Sequence, residues 1–219
     1  MGVEVENVKT RPILFSDPLV KAILGGRKTV TRRPVKLSEF ADLVHPWKGG
    51  RWEFGRAIGP SDGETTEVLA CPYGKPGDRL FVKESHRAWL LDGGGDLVRI
   101  EYRSGGHRDV YADDLPDGFV DRFKCRQDGK TLAWKPSIFM AREASRITLE
   151  ITDVRVERVQ DISAQQVRAE GIRSAMRSES AYVGAFARLW DSIYAGRTDK
   201  PGLSWTDNPW VWVVEFKRI

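Results

Sequence analysis

Apolar positions come in short runs along this chain, and their period changes several times. Pro18 to Leu24 forms a compact apolar segment that reads as a helix, with Asp17 able to cap its first turn, Pro18 at the first helical position and Gly25-Gly26 as the stop. Ile13-Leu14-Phe15 ahead of it reads as a strand, and so does Arg79 to Glu84, where Leu80 and Val82 share a face. Short strands are also expected at 51–57, 65–70, 97–102 and 108–112. From Arg146 the chain alternates, Ile147, Leu149 and Ile151 on one side, until the phase changes at Asp153, which suggests a bent or bulged strand, or two strands around a corner. Ser163-Ala164-Gln165-Gln166 is a capping box opening a short helix that ends at Gly171. A longer helix from about Glu179 to Tyr194 carries Val183, Phe186, Trp190 and Ile193 along one face. Pro209 to Lys217 closes the chain as an apolar strand.

Several short strands with three helices and no repeating β-α unit point to an α+β fold: a small mixed β-barrel with flanking helices and inserted loops. The 219 residues suit one domain over 1–219, with insertions near 37–70 and 87–143. The polar stretch 113–132, broken by Pro116, Gly118 and Gly129, reads as a flap. Hydrophobic residues make up 41% and charged residues 30%, which excludes a disordered chain, and no apolar run approaches a membrane span. The start of the chain lacks the regions of a signal peptide, and two cysteines, Cys71 and Cys125, make no disulfide framework. A cytoplasmic protein with free thiols is the expectation. Net charge of +4 permits nucleic-acid binding without requiring it.

The densest chemistry lies at Gly25-Gly26-Arg27-Lys28-Thr29-Val30-Thr31-Arg32-Arg33-Pro34. Lys28 is surrounded by arginines, and neighbouring positive charge lowers the pKa of an amine. An amine of that kind can act as base toward a hydroxyl, and Thr31 is near in sequence. On an unbroken strand the two would face opposite ways, so the pairing needs a turn or bulge. A basic run after a helix is also what a solvated strand edge looks like. Glu170, near the end of the short helix, sits where unpaired carbonyls help a carboxyl hold its proton, though a Glu beside a terminal Gly is more often a solvated residue. Arg142, Ser145 and Arg146 are candidates for phosphate contacts, or for ordinary surface charge at a strand start. Trp47 to Trp52 and Trp134 are equally readable as stacking platforms or as packing. Cys71, Cys125, His86 and His107 match no compact ligand spacing, so no metal and no cofactor is expected.

Gly26, Lys28, Thr31 and Arg33 together resemble the G-x-K-x-x-T-x-R signature of the ASCH domain, a relative of the PUA fold. The order of a preceding helix, a Gly-Asp-Arg-Leu strand, a helix ending in Glu and a Val-Val-Glu-Phe-Lys strand is similar as well. The resemblance covers residues 12–36, 71–86 and 144–219. It implies a PUA-like barrel in one of the longer, phage-type members, whose motif is shared with the N4-acetylcytidine amidohydrolases. It further implies Thr31 as nucleophile, Lys28 as base and Glu170 as acid. Gly26, Arg33, Arg142 and Arg146 would then lie on the substrate side. The implied partner is a modified nucleoside or RNA, with hydrolysis of an acylated exocyclic amine as the reaction. A non-catalytic RNA-binding module and a metal-independent ribonuclease remain open beside it.

Overall fold

The structure, a computed structural model, describes residues 8–37, 43–47, 51–55, 66–91, 96–119, 133–175, 178–195 and 202–219. In chain order the elements are β1 (Thr10–Leu14), α1 (Asp17–Leu24), β2 (Val30–Pro34), β3 (Leu43–Trp47), β4 (Arg51–Gly55), β5 (Thr66–Ala70) and β6 (Arg79–Lys83). They continue with β7 (His86–Leu90), β8 (Leu97–Tyr102), β9 (His107–Tyr111), β10 (Thr148–Arg158), α2 (Ala164–Ala169), α3 (Glu179–Tyr194) and β11 (Trp210–Arg218). The fold is α+β, mostly strands with few helices. No described helix is long and apolar enough to cross a membrane. The chain divides into two compact units, one of Met1–Gly26, Arg79–Glu150 and Arg218–Ile219, the other of Arg27–Asp78 and Ile151–Lys217.

In the first unit, β1 pairs parallel with β6, Thr10 opposite Arg79 and Leu14 opposite Lys83, and β6 pairs antiparallel with the start of β10. The cap of α1 is Ser16, in extended conformation, and not Asp17. Asp17 is the first helical residue, where its carboxylate suits the positive end of the helix. Gly26 ends the helix in the left-handed region at φ 67, with its N–H donating to Ile23 O at 2.9 Å. The sheet β7-β8-β9 is antiparallel, and β8 buries alternate residues Val98, Ile100 and Tyr102. The residues 120–132 of the expected flap, Cys125 among them, lie outside the described residues.

A polar cluster anchors this unit. Glu84 is fully buried, and Arg146 donates to both its carboxylate oxygens, from Nε at 2.9 Å and Nη2 at 3.0 Å, and to Ser104 Oγ at 2.8 Å. The same guanidinium lies 3.9 Å over the Tyr102 ring, whose hydroxyl is pushed up to about 12 by burial, against the lowering effect of Arg146. Gly106 makes room for it, since a Cβ there would come within 2.9 Å of Arg146 Nη1. Arg142 is exposed, and its carbonyl accepts from Ser145 N–H at 3.0 Å.

In the second unit, β11 runs between β10 and β2, with Thr31 opposite Val214 and Arg33 opposite Trp212. A separate antiparallel sheet joins β3, β4 and β5. The expected bend at Asp153 is not a break, since β10 is one strand of 11 residues. Its clean burial alternation stops after Ile151, and the residues that follow are mostly half-buried whichever way they face, which explains the phase change in the sequence. The capping box of α2 is formed as expected: Gln166 N–H donates to Ser163 Oγ at 3.3 Å, and Ser163 N–H to Gln166 Oε1 at 2.8 Å. α3 spans the expected residues and buries the expected Phe186 and Trp190, but with Tyr194 in place of Ile193, which is 41% exposed. The reason is the apolar face it meets, Val211 and Val213 of β11 with Val30 and Val167, which the i, i+4, i+8 row covers best.

Candidate active site

The site is built on the edge of β2. Phe216 N–H donates to Thr29 O at 2.8 Å, so Thr29 is turned toward β11. The next carbonyl, that of Val30, points the other way along an edge with no further strand. That carbonyl is taken by Lys28 Nζ at 2.7 Å. Lys28 stands just before the strand, in an isolated antiparallel bridge to Glu170, and Thr29 N–H donates to Ala169 O at 2.8 Å. The end of α2 thus closes against the entry of β2.

The way α2 ends decides where Glu170 points. Glu170 is the last residue in helical conformation, and Gly171 follows at φ 84. Gly171 N–H donates to Arg168 O at 2.9 Å and Ile172 N–H to Val167 O at 3.3 Å, the double bond pattern of a glycine-terminated helix. Val167 and Ile172 meet in the apolar core beneath. Glu170 is only 5% exposed, and its Oε2 accepts from Lys28 Nζ at 2.6 Å, while its main-chain O accepts from the same amine at 3.1 Å.

Burial holds the Lys28 amine below the ordinary lysine range; Glu170 opposes this through its charge and hydrogen bond, and Arg33 and then Arg32 add to it. Arg32 is buried at 4% exposure. Its Nη2 donates to Glu157 Oε2 at 2.9 Å, and its Nη1 lies 3.6 Å from Glu170 Oε1. Among the described residues, Arg32 Nε, Arg32 Nη1 and Glu170 Oε1 are buried without a hydrogen-bond partner. Unpaired buried polar atoms cost free energy unless something completes them, and here an N–H edge and a carboxylate oxygen face one another. Glu157 is held in turn by Arg155 Nε at 2.6 Å.

Thr31 is buried at 3% exposure. Strand alternation sets it with Arg33 on the face opposite Val30 and Arg32, and no hydrogen bond of its hydroxyl is found among the described residues. Lys28 and Glu170 are therefore brought into direct contact, whereas Thr31 follows the carbonyl that Lys28 holds without bonding to either. Near Arg33, burial raises the Tyr73 hydroxyl, with the arginine charge working against it. Gly26 serves the end of α1, and Arg142 and Arg146 belong to the first unit. Arg32 and Glu157 escaped the sequence reading, although a signal existed: Arg32 is two residues from Val30, so a buried Val30 implies an inward Arg32. Among the described residues no group of His, Cys, Asp and Glu is arranged to hold a metal ion, and Cys71 is a buried free thiol.

No protein-family model, no curated protein and no solved structure matches the chain.

Proposed function

We propose that the second unit is the working part of an ASCH-type, PUA-like fold that hydrolyses an acylated exocyclic amine of a nucleoside. In this reading Thr31 attacks the acyl carbonyl as its hydroxyl proton passes to Lys28. Glu170 then protonates the departing amine, and water releases the acyl group from Thr31. The observation that carries the reading is the buried 2.6 Å contact between Lys28 Nζ and Glu170 Oε2. Burial holds the Lys28 amine below the ordinary lysine range, toward the uncharged form that can take a proton. A base and an acid are what amide cleavage needs. Arg32 Nε, Arg32 Nη1 and Glu170 Oε1, which lack hydrogen bonds among the described residues, support a polar ligand beside that pair.

A second reading has its own support. As an ammonium, Lys28 has three N–H bonds, and it has three acceptors in Val30 O, Glu170 O and Glu170 Oε2. Saturated in that way it is a structural ion pair, and the unit is then a non-catalytic RNA-binding module. Incubation with N4-acetylcytidine separates the two. The hydrolase releases cytidine, and loses turnover in Thr31→Val, where a methyl of similar size replaces the hydroxyl and circular dichroism checks that the fold is kept. No turnover of any N4-acylcytidine, with salt-sensitive RNA binding, establishes the module instead. Turnover that survives Thr31→Val rules out the nucleophile.

A further inference from the structure

Beside Glu170, the turn out of α2 opens into a cavity of ≈ 370 Å³ lined by Arg27, Arg168, Gly171, Ile172, Arg173 and Tyr182. Arg27, Arg168 and Arg173 are all exposed, and among the described residues none of them has a carboxylate partner. Two other arginines of this unit are paired with carboxylates, Arg32 with Glu157, and Arg155 with Asp153, Glu157 and Glu215. Three like charges gathered on one concave surface repel one another, and an anion relieves that repulsion. Arg168 lies 4.4 Å over the Tyr182 ring, a contact that restricts its guanidinium. A guanidinium restricted in this manner suits a phosphate, whose oxygens accept paired N–H bonds. The cavity is tied to the active pair by sequence: Arg27 precedes Lys28, and Gly171 follows Glu170.

We propose that this arginine-lined cavity binds the phosphate of the substrate, so that the preferred ligand is a phosphate ester of the nucleoside and not the free nucleoside. The proposal rests on the nucleoside reading above for the base-binding half of the site, but the phosphate half stands on the arginines alone. Ile172 and Tyr182 supply an apolar wall on which a sugar can rest.

Binding of the deacylated ligands tests this without turnover. Titrations compare cytidine, cytidine 5′-monophosphate, cytidine 3′-monophosphate and a short single-stranded RNA, at low and moderate salt, on the full chain. Either monophosphate is expected to bind at least about tenfold more tightly than cytidine, the effect of one charge-assisted hydrogen bond. Arg168→Gln and Arg173→Gln, singly and together, are expected to erase that gap while leaving cytidine binding unchanged. For the RNA, each arginine lost lowers the log–log salt slope by about 0.7 if a strand is held there. A slope indifferent to the arginines, with the monophosphate gap intact, assigns the cavity to a mononucleotide. Equal binding of cytidine and both monophosphates, or variants that bind all four ligands as the wild type does, overturns the proposal. Arginine-dependent phosphate binding in a protein that never deacylates N4-acetylcytidine retains the phosphate site and removes the hydrolase. Turnover with no phosphate preference does the reverse.

Discussion

Lys28 Nζ lies 2.6 Å from Glu170 Oε2, although the two residues are 142 positions apart in sequence. The contact depends on two local events: a helix that stops at Gly171 with Glu170 as its last helical residue, and a strand edge whose Val30 carbonyl takes the amine. Burial penalises the Lys28 charge, and the attraction of Glu170 opposes that penalty.

Breaking the pair from one side should cost more than removing it altogether. Glu170→Gln leaves a buried amine without its anion, and Lys28→Met leaves a buried carboxylate. Each is expected to destabilise the chain by roughly 3–5 kcal/mol. The double variant Lys28→Met/Glu170→Gln leaves neither charge, and should be more stable than either single change. Urea midpoints of the four proteins check this; a double variant whose loss equals the sum of the singles would show that the two residues act independently.

The lowered Lys28 pKa gives a pH dependence of definite sign. Between its folded pKa and the ordinary 10.5, the unfolded chain binds the proton that the folded chain has released. Stability rises with pH wherever the unfolded state binds more protons, so the penalty is complete below the folded pKa and fades as pH approaches 10.5. The wild type is therefore expected to gain stability relative to the double variant on going from neutral pH toward pH 10. The buried tyrosines Tyr73 and Tyr102 are present in both proteins and cancel in the difference. A flat or falling difference curve would mean that Lys28 keeps its proton throughout.

Much of this geometry was legible in the residues, and the limits have physical causes. The Ser163–Gln166 box and Gly171 fixed both ends of α2, because caps are satisfied locally within four residues. The inward face of α3 was misread by one position, Ile193 for Tyr194, since hydrophobicity does not say which row of a helix its neighbour will meet. Strand β7 was hidden inside a presumed insertion because His86 and Arg87 look like surface residues. In the fold His86 is fully buried, and Arg87 stacks over Trp134 at 4.7 Å. Arg32 was legible only through Val30, two residues away on the same face of β2, and both are buried.

Gly171 is the hinge on which Glu170 depends. Its φ of 84 lies where a Cβ meets the following carbonyl. Gly171→Ala is expected to cost about 1–2 kcal/mol and to loosen the bond from Ile172 N–H to Val167 O. Both Thr29 N–H and Lys28 Nζ bond to the residues just before this turn, so activity should fall by more than the loss of folded protein accounts for. Thermal melting beside turnover at a temperature well below the transition separates the two effects. Full activity in the folded fraction would remove the turn from any part in setting Glu170.

Arg32 acts on Lys28 through charge alone, and its removal should move a pH profile in a known direction. Its guanidinium lowers the Lys28 pKa, after the larger contribution of Arg33. Arg32→Gln therefore raises that pKa and shrinks the fraction of neutral amine at a given pH. Glu157 retains Arg155 at 2.6 Å in the variant, so the loss of stability should stay at about 1–3 kcal/mol. For a hydrolase that uses Lys28 as base, the rising limb of kcat/KM against pH then shifts to higher pH, while the plateau above it changes less. A nitrogen chemical-shift titration of Lys28 reads the same displacement without substrate. A limb that stays where it is, with the Lys28 titration moved, would assign the base to another group.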